Sequence, residues 1–168
     1  MNIQATQPRS ADEAGKPITS KDIALSTVAE IASVYPKRTP PQALIGAGCL
    51  ALGREPCPGY PGWGIVSGWG LHNDLTAAAK FSGWEVNTIS QEHGLIQASK
   101  DSRVKSFGDK FGSLNMNSDM PFVVGQKIRV WPNHACIAAA NFSFFAVVDS
   151  SSATPDEVVD VWIRCRGW

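Results

Sequence analysis

Trp131-Pro132-Asn133-His134-Ala135-Cys136 places an imidazole and a thiol two residues apart at the head of an apolar segment. On a β-strand, residues i and i+2 project from one face with Cα atoms about 6.5–7 Å apart, so both side chains could turn toward one metal ion. Zinc suits this donor pair, since imidazole nitrogen and thiolate sulfur bind it at about 2.0–2.3 Å. Two ligands leave half of a tetrahedral shell for water or substrate. The same spacing also suits a small buried thiol packed beside a hydrogen-bonded imidazole.

A second group, Gln91-Glu92-His93-Gly94, offers a carboxylate and an imidazole beside a glycine. Glu92 and His93 are candidates for auxiliary acid/base work or a further ligand, and equally for a polar hairpin tip. Gly94 is expected to take a positive φ there. The six tryptophans, Trp63, Trp69, Trp84, Trp131, Trp162 and Trp168, are expected to fill a core or a subunit interface rather than to line a catalytic pocket. No serine-histidine-aspartate arrangement or phosphate-binding loop has the context its chemistry needs.

These residues must be positioned by short strands. Residues 1–22 lack apolar periodicity and are read as a flexible lead, and the folded domain is expected over 23–168. Ile23 to Tyr35 is rich in β-branched residues; its periodicity suits either strand or helix, and a long strand is favoured. Ala43 to Leu52 is an unbroken apolar run and predicts a buried strand, and the three prolines in 54–64 predict a loop. A strand at Trp63 to Trp69 and a strand pair within Val86 to Ala98 follow, then a polar loop over 99–120. Phe122 to Val130 alternates around a turn at Gly125. Ile137 to Val148 predicts two strands turning at Asn141 and Ser143, and Val158 to Arg164 alternates with a period of two. The fold class expected is all-β or strongly β-rich: a single barrel or sandwich with few short helices.

Fifteen basic residues balance fifteen acidic ones, which argues against phosphate neutralisation on nucleic acid and against a polybasic membrane surface. No stretch reaches the roughly 18 consecutive apolar residues of a membrane-spanning helix. The start of the chain lacks the apolar core of a secretory signal. A soluble, cytoplasmic protein is expected, with Cys49, Cys57, Cys136 and Cys165 as thiols or ligands rather than disulfides.

Taken in order, Thr27-Val28-Ala29, Tyr35-Pro36, Ala43-Leu44-Ile45, Gly62-Trp63-Gly64, Ser90-Gln91-Glu92-His93-Gly94, Pro132-Asn133-His134-Ala135-Cys136 and Val159-Asp160-Val161-Trp162 resemble the C-terminal domain of eukaryotic D-serine dehydratases. The related D-threonine aldolases share that domain in outline. The resemblance implies an architecture like that of alanine racemases, in which an N-terminal (β/α)₈ barrel carries pyridoxal phosphate on a lysine and a C-terminal β domain completes the site. It implies zinc on His134 and Cys136. Aldolase relatives have Asp where this chain has Cys136, which favours the dehydratase branch and the conversion of D-serine to pyruvate and ammonia.

A (β/α)₈ barrel needs about 250 residues, more than the chain's 168. The isolated chain is therefore expected to lack pyridoxal phosphate and activity. Its expected partners are a second copy of itself or a barrel-containing relative, and not nucleic acid or membrane.

Overall fold

Period-two alternation turns one face of each strand inward, and six such strands close on themselves. The computed structural model describes residues 23–70, 81, 83–101, 104 and 120–165, so the lead over 1–22, most of the polar segment over 99–120 and Trp168 lie outside the described residues. The strands are β1 (Thr27–Tyr35), β2 (Gln42–Ile45), β3 (Gly64–Gly68), β4 (Trp84–Ile89), β5 (Gly94–Ala98) and β6 (Lys127–Pro132). They form a closed antiparallel barrel in the order β1-β2-β5-β4-β3-β6. Closure leaves no free edge among these six.

The barrel interior reads directly from the alternation. Ala29 and Ile31 of β1, Ala43 and Ile45 of β2, Val66 of β3, Trp84 and Val86 of β4, Ile96 of β5, and Ile128 and Val130 of β6 all turn inward and are buried. An interior this small is filled by its own side chains. Phe81 and Trp84 meet the ring of Phe122 edge-on, at centroid distances of 5.5 and 5.0 Å.

Several expectations hold. The strand-rich class, the pair interrupted at residues 90–93 and the turn at Gly125, whose φ is +83°, all follow the sequence pattern, and the strand expected from Ile23 to Tyr35 forms over Thr27–Tyr35. None of the four cysteines forms a disulfide.

Two expected strands are broken by helices. β2 ends at Ile45, and Cys49–Leu52 forms a one-turn helix, α1. The backbone N–H groups of Cys49 and Leu50 donate to the carbonyls of Ser90 and Gln91, at 2.9 and 3.0 Å, which turns the chain out of the sheet. The run Ile137 to Val148 is likewise one strand rather than two. Ala135–Ala140 is a helix, α2, and only Phe144–Val148 is a strand, β7. Four alanines in six residues favour helix over strand, and Asn141 and Ser143 turn the chain between α2 and β7.

β8 (Val158–Ile163) pairs only with β7, as a two-stranded ribbon beside the barrel. The connection between them is tied to the barrel at Asp156. Its carboxylate pairs with Arg129 and accepts the Gly70 N–H at 2.6 Å. The Arg129 guanidinium lies over the rings of Trp69 and Trp131, 5.0 and 5.4 Å from their centroids. The tryptophans therefore divide: Trp84 is core, Trp63 packs partly buried against it, and Trp162 is 61% exposed.

Candidate metal-ligand corner

The register of the barrel gathers the chemistry-bearing residues at one end. Ile45 pairs with Gly94, Ile89 with Gly94, and Gly64 with Pro132. The end of β2, the β4–β5 tip, the start of β3 and the end of β6 are therefore together. α1, the tip with Glu92 and His93, and the β6–α2 corner with His134 and Cys136 all emerge there.

The tip packs closely on α1. A Cβ on Gly48 would stand 2.5 Å from the Ser90 carbonyl oxygen, and one on Gly94 would stand 2.7 Å from that of Ala47. Gly94 thus serves close approach; its φ is not among the positive ones, contrary to the expected turn conformation. α1 in turn packs on α2, where a Cβ on Gly53 would meet Ile137 Cγ2 at 2.7 Å.

His134 and Cys136 do not share a strand face, as their spacing alone suggested. Pro132 closes β6, fully buried, and His134 is the N-cap of α2 with extended φ/ψ of −138° and 106°. Cys136 is the second residue of the helix. An N-cap side chain lies over the first helical turn, where it commonly reaches the N–H groups of the second and third residues. The imidazole makes no such capping hydrogen bond, so its ring nitrogens are uncommitted to the helix. The corner is set by tertiary contact. Asn133, 7% exposed, donates both amide hydrogens, to the carbonyls of Gly62 at 2.9 Å and Glu55 at 3.2 Å.

Two observations bear on metal. The Nδ1 atom of His134 is buried and has no hydrogen-bond partner among the described residues. A buried imidazole nitrogen in that condition is costly unless something satisfies it. Cys136 is exposed, so its sulfur remains accessible. The donor types and the unsatisfied nitrogen fit two ligands of a metal; among the described residues no group of three His, Cys, Asp or Glu residues could hold one. His93 and Glu92 are exposed and are not gathered with the pair into such a group.

Sequence reasoning missed one buried polar cluster. Glu85, 3% exposed within β4, accepts the Ser99 hydroxyl at 2.7 Å, and the Ser99 oxygen accepts the Asp101 N–H at 3.1 Å. Burial first, then the neighbouring Glu85 carboxylate, raises the Tyr60 phenol well above its ordinary range. A carboxylate between Trp84 and Val86 in a barrel strand was the available signal. Among the described lysines, Lys37, Lys100 and Lys127 are all exposed, so none offers the enclosed amine that pyridoxal phosphate requires.

Residues 24–148 match the family described as "Putative serine dehydratase domain". The D-serine dehydratase of Schizosaccharomyces pombe is 31% identical over 155 residues, which cover 91% of this chain and 30% of the relative. The D-serine dehydratase of Saccharomyces cerevisiae is 30% identical over 138 residues, 82% of this chain and 27% of the relative. The chain thus spans less than a third of either relative. Among solved structures, D-threo-3-hydroxyaspartate dehydratase from Delftia sp. HT23 superposes with a TM-score of 0.60 at 22% identity, over 90% of this chain and 34% of that one. That enzyme has also been solved as a histidine-to-alanine variant and as a cysteine-to-alanine variant in a metal-free form, the two replaced residues standing two positions apart.

Proposed function

Since the chain belongs to the serine dehydratase domain family, we propose that it is the zinc-binding β domain of a pyridoxal phosphate-dependent, D-serine dehydratase-like lyase. The observation that carries this reading is the β6–α2 corner, where a buried imidazole nitrogen lacks a partner two residues before an exposed thiol. The two-residue spacing of the histidine and cysteine replaced in the Delftia enzyme, and the metal-free form of its cysteine variant, support the same assignment.

In this role His134 contributes a neutral imidazole nitrogen and Cys136 a thiolate, while Asn133 holds the corner against the 55–62 loop so that both side chains stay at one end of the barrel. Zinc there supplies a Lewis acid for a departing hydroxyl. Glu92 and His93, exposed at the same end, are auxiliary groups for moving a proton at the mouth of the assembled site. The substrate is a small D-hydroxyamino acid such as D-serine, and the setting is cytoplasmic. Among the described residues Lys37, Lys100 and Lys127 are exposed, which supports a cofactor amine on other polypeptide and a chain that is inactive alone.

Purified chain supplied with zinc, pyridoxal phosphate and D-serine tests this directly. The expected result is zinc binding without pyruvate formation. Cofactor-dependent pyruvate above background would overturn the inactivity, and zinc binding untouched by His134→Ala would overturn the metal assignment.

A further inference from the structure

Glu85 stands between the inward-facing Trp84 and Val86 of β4, so its side chain leaves the barrel on the outer face. It is buried all the same, and a carboxylate is almost never so enclosed without partners. Two hydroxyls supply them. Ser99 donates to its Oε2 at 2.7 Å, and a hydrogen bond joins the Tyr60 hydroxyl of the 55–62 loop to the same carboxylate. That hydroxyl also reaches the Gly64 carbonyl at 3.2 Å. One phenol therefore ties the loop to two strands, β4 at Glu85 and β3 at Gly64.

The rest of the loop is built around this phenol. The Tyr60 N–H closes a tight turn on the carbonyl of buried Cys57 at 3.0 Å, with Gly59 at a φ of +73°. A Cβ on Gly62 would collide with the Tyr60 hydroxyl and ring, so the Gly62 backbone lies against the phenol. On its other side the Trp63 N–H donates to the Val86 carbonyl of β4 at 2.8 Å. The Gly62 carbonyl is thus held from both directions. It is the same carbonyl that accepts the Asn133 amide at 2.9 Å, and Asn133 directly precedes His134.

We propose that Tyr60 and Glu85 are positioning residues for the His134 and Cys136 corner, acting through Gly62 and Asn133. The proposal rests on the metal reading of that corner. The effect is indirect: Tyr60 and Glu85 fix the acceptor that Asn133 reaches, and Asn133 fixes the backbone from which both candidate ligands depart. A satisfied buried polar network rigidifies what it touches.

Titration of the full chain with Co²⁺ alone tests it, the thiolate-to-cobalt absorption band reporting on Cys136. The expected result is that Tyr60→Phe weakens cobalt binding about tenfold, the lower end of what groups that orient ligands contribute. Glu85→Ala should do the same, and Glu85→Gln, which keeps an acceptor oxygen, should recover most of the loss; if Glu85→Ala does not fold, Tyr60→Phe, which keeps the ring, decides the matter. In an Asn133→Ala background Tyr60→Phe should add nothing, because the two act in series. Asp156→Asn, which loosens the 149–157 connection instead, should leave the affinity unchanged. Full affinity in Tyr60→Phe, additive losses in the double variant, or an equal loss in Asp156→Asn overturns the proposal. A parent chain without the cobalt band overturns the metal reading instead. Positioning is then read from the His134 imidazole proton resonances, assigned with His134→Ala: Tyr60→Phe should shift them as Asn133→Ala does, and unmoved resonances overturn the proposal.

Discussion

Asn133→Ala is the most informative single change, because one side chain sets the corner that carries both candidate ligands. Its amide gives two hydrogen bonds, to Gly62 O at 2.9 Å and Glu55 O at 3.2 Å, from a nearly buried position. Truncation removes both donors and leaves the two carbonyls to find water. The Gly62 bond is buried and the Glu55 bond only partly so, so the loss is about 1–3 kcal/mol. Asn133→Asp should cost more than alanine, since a carboxylate cannot donate and would face two carbonyl oxygens in a buried position. Urea denaturation of the three proteins measures the order, and zinc competition titration measures the local consequence, a loss of about 10–100-fold in metal affinity. Stability of Asn133→Ala within about 0.5 kcal/mol of the parent, or aspartate better tolerated than alanine, would refute the assignment of Asn133 as the staple of this corner.

Three further outcomes are expected. Gly48→Ala places a methyl 2.5 Å from Ser90 O and 2.6 Å from Gln91 O, both backbone, and should destabilise by about 1–3 kcal/mol in thermal or urea melts. Tyr60 is raised by burial and by Glu85, so the unfolded chain loses the phenolic proton first. Stability is fully present below the ordinary value of about 10 and falls above it by about 1.4 kcal/mol per pH unit, and the extra slope should vanish in Tyr60→Phe. Asp156→Asn leaves the largely buried Arg129 guanidinium without its anion, side chains there being 18% and 13% exposed. It should cost about 1–3 kcal/mol and raise hydrogen exchange across 149–157 before the barrel strands respond.

The barrel strands were legible from local signals: Ile128 and Val130 from period-two alternation, β1 from its β-branched residues, and β2 from the apolar run that begins at Ala43. The two helices were not legible. Four and six residues are too few for a period of 3.6 to declare itself, and Cys49–Leu52 bends away only because carbonyls of the β4–β5 tip, 41 residues on, accept its N–H groups. His134 and Cys136 were singled out as candidates by residue type and spacing, but their geometry was misread for the same reason. Whether His134 stands on a strand or caps a helix depends on Asn133 reaching a loop 71 and 78 residues earlier in the chain. Glu85 escaped notice because its partners, Ser99 and Tyr60, come from separate segments.

The central claim is that His134 and Cys136 form the protein half of a zinc site. Its most direct measurement is zinc content and affinity of the purified chain beside His134→Ala and Cys136→Ala, with folding checked by circular dichroism. The account predicts weak zinc binding by the parent, since two protein ligands hold the metal less firmly than a closed set of four, and its loss in each variant with the fold intact. Equal zinc in all three proteins would contradict it.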